Sequence, residues 1–202
     1  GLPTAFMYTM SAWALLRFAR VGFFTPDWQL KDLPTDPVPW VVEDEYETIT
    51  INYTSGTTGR PKGVMYTHRG AYINAWGEVI ETAMTPDARY LWSLPMFHCN
   101  GWCFTWGVTA IGATHVCMRK FEPGLAWRLI AAEGVTHFNG APVVMIALVN
   151  HPDAPARFAH PVTICTAGAP PSPTIIQPLP EMGAHILHLY GLTATNRPIT
   201  LS

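Results

Sequence analysis

Two hundred and two residues, 49% of them apolar, can bury a substantial core in one large domain or two small ones. A formal net charge of −2, with the lysines and arginines scattered, leaves no electrostatic footprint for nucleic acid or for an anionic membrane surface. Cys99, Cys103, Cys117 and Cys165 all sit in apolar surroundings, not in the dense short-chain pattern of a secreted scaffold, so a reducing cytoplasm is the expected setting.

Residues 1–30 carry Phe6, Trp13, Leu16 and Phe23 at loosely helical spacing, and 31–47 are rich in Pro, Asp and Glu and read as a linker. The start lacks a basic region, and Arg17 and Arg20 interrupt the apolar segment behind it, so no signal peptide is expected. From Thr48 the pattern alternates. A strand over 48–53 leads into a loop at 54–63, then a helix from about His68 to Ala83, with Thr67 as N-cap and Tyr72, Trp76, Val79, Ile80 and Ala83 on one face. Strand 90–94, helix 101–111, strand 114–118, helix 124–133 and strand 136–139 follow. A helix near 142–150, strand 162–167, a broken helical segment 172–182 and strand 185–190 complete the series.

Two stretches, Arg89 to Arg119 and Glu133 to Asp153, contain no formal charge between their ends. Pro95, Gly101, Gly107 and Gly112 break the first and Gly140 and Pro142 the second, so neither suits a membrane span. Buried strands joined by half-buried helices account for both. Repeated β-α units predict an α/β fold with a mostly parallel sheet flanked by helices, whose ligands gather at the carboxyl ends of the strands. The segments 54–63, 168–171 and 191–198 are all expected there.

The most informative run is Tyr53-Thr54-Ser55-Gly56-Thr57-Thr58-Gly59-Arg60-Pro61-Lys62-Gly63-Val64. Glycines let backbone N–H groups turn toward an anion, hydroxyls donate to phosphate oxygens, and Lys62 adds a positive charge. A Walker A loop needs Ser or Thr after its lysine, and here Gly63 follows Lys62. No GxGxxG dinucleotide fingerprint and no GxSxG nucleophile elbow occurs, so dehydrogenase and serine-hydrolase chemistry have no anchor.

This run resembles the phosphate loop of the adenylate-forming (AMP-binding) superfamily, and specifically of acyl-CoA synthetases of the fatty-acid–CoA ligase type. The resemblance implies nucleotide binding by Thr54, Ser55, Gly56, Thr57, Thr58, Gly59 and Lys62. Thr166-Ala167-Gly168-Ala169-Pro170-Pro171 is similar to the family's Gly-Ala-Pro element, which implies that Gly168, Ala169 and Pro170 form a shelf for adenine. Tyr190-Gly191-Leu192-Thr193 resembles the start of the family's YGxTE motif, which implies that Tyr190 stacks on adenine, Gly191 adjoins it and Thr193 reaches the α-phosphate. Thr193 and Lys62 thereby become the candidate catalytic residues. Leu94-Pro95-Met96-Phe97-His98-Cys99-Asn100-Gly101-Trp102 is similar to the segment that walls the acyl pocket, so His98, Asn100, Gly101 and Trp102 are the candidate substrate contacts. Read without the family, His98 is equally a hydrogen-bonded core histidine. His98, Cys99 and Cys103 are too few, without a CxxC pair, for a zinc site.

The family implies ATP/AMP, magnesium and CoA as cofactors and co-substrates, and a small-molecule carboxylic acid as substrate. This chain departs from the pattern at Ala194, where the family has the glutamate that holds magnesium; beyond residue 140 only Asp153 and Glu181 are acidic. Pro178 and Pro180 fall in a segment usually helical in the family, where an interior proline costs about 3 kcal/mol. The resemblance covers 48–202, the nucleotide-binding part of the large domain, with 1–47 unassigned. The family's ribose-binding aspartate, hinge and C-terminal lysine are expected outside it, and uncovered sheet edges would favour self-association. Three readings stay open: a segment of an acyl-CoA synthetase, a catalytically inactive nucleotide-binding module, and a non-enzymatic domain that keeps the fold.

Overall fold

The computed structural model describes residues 42–54, 60–168, 177–195 and 200–201. Its centre is a sheet of β3 (Arg89–Trp92), β4 (Thr114–Cys117), β5 (His137–Gly140), β6 (Val162–Thr166) and β7 (Ala184–Tyr190), all parallel, with the short β8 (Thr200–Leu201) antiparallel on β7. The order is β4-β3-β5-β6-β7-β8, so the chain steps outward from β3 in one direction and then in the other. That reversal, between β3 and β5, is where an open α/β sheet leaves a crevice at its carboxyl edge.

Period-2 alternation sends neighbouring strand residues to opposite faces. Leu91, Val116, Phe138 and Ile164 lie on one face, packed with Trp127, Ile130, Met145 and Leu148. Those residues come from α4 (Pro123–Ala132) and α5 (Pro142–Val149), which both begin with proline at a position needing no N–H partner. The Glu122 carboxylate caps α4 by accepting from Gly124 N–H and Leu125 N–H at 3.1 and 2.7 Å. Tyr90, Trp92 and Cys165 face the other way, against α1 (His68–Glu81) and α3 (Phe104–Ala110).

Thr67 caps α1, its hydroxyl accepting from Gly70 N–H at 3.1 Å, in agreement with the sequence. The helix faces otherwise than its large apolar residues suggest. Ala71, Ala75, Glu78 and Val79 are buried, while Tyr72, Trp76 and Ile80 are exposed. Small residues win the inner face because α3 lies so close: a Cβ on Gly107 would stand 3.2 Å from the Ala75 carbonyl.

The phosphate loop also has a different setting from the strand–loop–helix reading. β1 (Thr48–Thr54) belongs to no parallel sheet; it pairs antiparallel with β2 (Lys62–Thr67), with Ile51 opposite Met65 and Thr54 opposite Lys62. The alternation in 62–67 is the cause, since Val64 and Tyr66 turn inward while Gly63 and Met65 face out. The prolines at 178 and 180 begin the one-turn α6 (Pro178–Glu181), whose leading N–H groups have no intrahelical acceptor, so neither proline breaks a bond. The rest of 172–182, before residue 177, lies outside the described residues.

Candidate functional site

Between β3 and α3 the chain makes a left-handed turn. Cys99, Asn100, Gly101, Trp102 and Cys103, the one-turn helix α2 (Cys99–Trp102) and the residue after it, have φ of 45°, 47°, 62°, 54° and 66°. For non-glycine residues this conformation costs roughly 1–2 kcal/mol each, so five in a row persist only where the surroundings impose them. Backbone bonds from Asn100 N–H to Phe97 O and from Gly101 N–H to His98 O, at 3.3 and 3.0 Å, wind the turn. Thr105 Oγ1 donates to Asn100 O at 3.0 Å from the next helix. At Gly101 a Cβ would stand 2.6 Å from the Trp92 ring, so the close approach and the positive φ both require glycine.

The turn joins three segments far apart in sequence. Asn100 Oδ1 accepts from Thr50 Oγ1 at 2.9 Å and from Asn52 Nδ2 at 2.6 Å, which ties it to β1 of the phosphate-loop hairpin. Cys99 Sγ lies 3.1 Å from Thr193 Oγ1. Tyr66 of β2 donates its hydroxyl to Thr193 O at 2.9 Å, closing the triangle.

Among the candidate residues, Thr54 and Lys62 face each other across the open end of the hairpin, Lys62 exposed. Ser55, Gly56, Thr57, Thr58 and Gly59 lie outside the described residues, as do Ala169 and Pro170. Gly168 follows β6 with φ of 97°, exposed. Tyr190 ends β7 with 56% of its surface exposed, Gly191 follows it, and Thr193 starts a 3-10 turn, Thr193–Thr195. His98 is exposed at the mouth of the left-handed turn, which removes the core-histidine reading. Gly101 and Trp102 are buried, Trp102 in the same cluster as Trp92. The side-chain oxygen of Asn100 is engaged by the hairpin.

Buried polar groups stand at or near the carboxyl ends of the strands. Ser93 Oγ donates to Asn139 O, and the buried Asn139 Nδ2 and Thr166 Oγ1 have no partner among the described residues. Beside them an open groove of about 610 Å³ is lined by Trp92, Pro95, Met96, Phe97, Cys117 and Phe121, with Arg119 and Lys120 also on its wall. Sequence reasoning missed Thr50, Asn52, Tyr66 and Cys99. The first two were within reach: polar residues at i and i+2 share one face of a strand whose other face is Ile49, Ile51 and Tyr53.

Magnesium is not fitted by what stands here. Residue 194 is an exposed alanine in the 3-10 turn, and among the described residues no three His, Cys, Asp or Glu side chains gather as ligands.

A parallel α/β domain whose antiparallel hairpin β1-β2 is tied to Asn100 and to Thr193, the latter just past the carboxyl end of β7, is an architecture that takes ligands at that edge of the sheet. The family model for AMP-binding enzymes matches residues 13–201, and the chain belongs to that family. It is 45% identical over 164 residues to 4-hydroxybutyrate–CoA ligase 2 of Metallosphaera sedula, covering 81% of this chain and 30% of that protein. Acetate–CoA ligase CCL3 of Humulus lupulus is 45% identical over 161 residues, 79% of this chain and 28% of the relative. The chain thus spans under a third of the length of these relatives. The N-terminal domain of FACL13 from Mycobacterium tuberculosis superposes with a TM-score of 0.76 at 28% identity, covering 87% of this chain and 44% of that one. O-succinylbenzoate CoA synthetase of Bacillus subtilis, solved with ATP and magnesium ion, gives a TM-score of 0.73 at 25% identity, over 86% of this chain and 36% of that one.

Proposed function

We propose that this chain is the nucleotide-binding part of an ATP-dependent carboxylic acid–CoA ligase. In that reaction a carboxylate oxygen attacks the α-phosphorus, pyrophosphate leaves, and the thiol of CoA then displaces AMP from the acyl-adenylate. One observation carries the reading: a single left-handed turn ties the phosphate-loop hairpin, through Asn100, to Thr193, through Cys99. Lys62 and the loop 54–59 hold the β- and γ-phosphates, and Thr193 holds the α-phosphate. Tyr190, Gly191 and the Gly168-Ala169-Pro170 shelf hold the adenine. His98 stands beside the reacting carboxylate, and the groove lined by Phe97 takes the apolar tail.

Titration of ATP and AMP onto the purified chain tests the nucleotide site. Lys62→Ala should weaken ATP by more than AMP, since a charge-assisted bond to phosphate is worth about 1.5–3 kcal/mol. Equal loss for both nucleotides removes Lys62 from the β/γ position. An aliphatic acyl-AMP analogue should bind tighter than AMP, because its tail buries apolar area at about 25 cal/mol per Å². Equal affinity would dismiss the groove.

The second reading, an inactive adenine-nucleotide binder, is favoured by Ala194. Acid-dependent pyrophosphate exchange by the purified chain, above a Lys62→Ala control, decides between them in favour of the ligase.

A further inference from the structure

We propose that His115 and Trp92 are positioning residues for the nucleotide site: they hold the left-handed turn 99–103, and through it the height of the phosphate-loop hairpin over Thr193. This rests on the reading of the site given above.

His115 is 3% exposed on β4, an edge strand of the sheet. Its two ring nitrogens each have a partner. Trp92 Nε1–H donates to Nδ1 at 2.8 Å, and Thr109 Oγ1 lies 2.9 Å from Nε2. The Thr109 hydroxyl has one proton, which it donates to Thr105 O at 2.8 Å, so toward the histidine it accepts. Nε2 therefore carries the ring proton and Nδ1 accepts, a single tautomer that satisfies every group. The planes of the two rings are within 3° of parallel with centroids 5.8 Å apart, and the 2.8 Å bond between them anchors the indole edge that carries Nε1.

Both arms of the histidine lead to the same place. Along one, the far edge of the Trp92 indole presses on Gly101, with Cζ3 and Cη2 at 2.6 and 2.7 Å from where a Cβ would be. Along the other, Thr109 stands one helical turn after Thr105, whose own hydroxyl donates to Asn100 O at 3.0 Å. Residues 100 and 101 are the middle of a turn that L-residues do not hold unaided. From there Asn100 Oδ1 reaches Thr50 and Asn52, and Cys99 Sγ reaches Thr193. Burial holds the His115 pKa down at about 4, so Nδ1 stays an acceptor near neutral pH. A leucine would fill the same space if packing were the only need.

The test compares His115→Gln, which keeps one acceptor and one donor, with His115→Leu, which keeps neither. Two measurements are made on the purified chain: amide hydrogen exchange of 48–54 and 62–67, and ATP titration. His115→Leu should speed hairpin exchange and weaken ATP by about tenfold or more, the scale of a buried donor left without its acceptor. His115→Gln should stay within about threefold of wild type in both, and exchange in β6 should not change in either variant. If His115→Leu does not fold, Thr105→Val removes only the bond to Asn100 O and should give the same pattern more weakly. Wild-type hairpin exchange in a folded His115→Leu protein, or His115→Gln as impaired as His115→Leu, overturns the proposal. Should the wild-type chain bind no nucleotide, the functional reading fails and hairpin exchange alone decides this one.

Discussion

The two faces of the parallel sheet are built from alternate residues of the same strands, yet they do different work. On the face under α4 and α5, Leu91, Val116, Phe138 and Ile164 meet other apolar side chains, and the indole N–H of Trp127 is satisfied locally by Leu148 O at 3.0 Å. Under α1 and α3 the same strands present Tyr90, Trp92, His115, His137 and Cys165, together with the buried Glu78. Burial raises the Tyr90 hydroxyl well above its usual pKa, aided by Cys165 and Glu78, and pushes the Cys165 thiol up as well. One face buries apolar area with few directional demands; the other places hydrogen-bonding groups in one orientation, and the left-handed turn rests on that second face.

Substitutions on the two faces should therefore separate stability from ligand binding. The largest effect is expected on the apolar side. Phe138→Ala should cost about 3–5 kcal/mol in denaturant unfolding, through lost burial and a cavity, while the folded fraction binds ATP as wild type does. A parallel loss of affinity in the folded protein would mean that the faces are coupled.

Next in size is acid sensitivity confined to the polar face. His115 is held down from 6.5 to about 4 and His137 is also lowered, both by burial. Groups with a depressed cationic pKa bind protons more readily in the unfolded chain, so stability falls as pH falls from 6.5 toward about 4 and then levels off. For His115 the whole window amounts to about 3 kcal/mol. Urea unfolding at pH 7 and pH 4.5 should show this slope in wild type and a shallower one in His115→Gln. An unchanged slope would assign the sensitivity to other groups.

The smallest effect concerns the tie between turn and hairpin. Asn52→Ala removes one of the two donors on Asn100 Oδ1 and leaves Thr50, so it should cost about 0.5–1.5 kcal/mol and loosen exchange in 48–54 before anything else. Equal acceleration in β6 would show a global loss of stability instead.

The sheet, its helices and their order were legible because alternation and caps are local: Thr67 caps α1 and the apolar runs at 90–94, 114–118 and 162–167 became strands. β2 was hidden because 62–67 continues the phosphate-loop motif, and a motif read as loop conceals the pleat inside it. The facing of α1 was misread because Tyr72, Trp76 and Ile80 outweigh Ala71 and Ala75 in any count of apolar size, whereas proximity to Gly107 decides which side fits. The left-handed turn had the weakest signature of all. Asn100 and Gly101 tolerate positive φ, but Cys99, Trp102 and Cys103 adopt it at a cost, and the packing beside them, such as Trp92 against Gly101, comes from a strand whose sequence gives no hint of the turn.

The double acceptance by Asn100 Oδ1 makes the hairpin a ruler with a fixed zero. A strand advances about 3.3 Å per residue, so the phosphate loop opens roughly 7 Å beyond the pinned Asn52. Lengthening both strands by two residues between the pin and the loop would preserve the pleat and carry the strand ends Thr54 and Lys62 another 7 Å or so from the pin. Lengthening by one would turn every side chain past the pin to the opposite face. The reach of this loop is thus set by chain length measured from one amide oxygen, and it is conserved under any change that leaves that count alone.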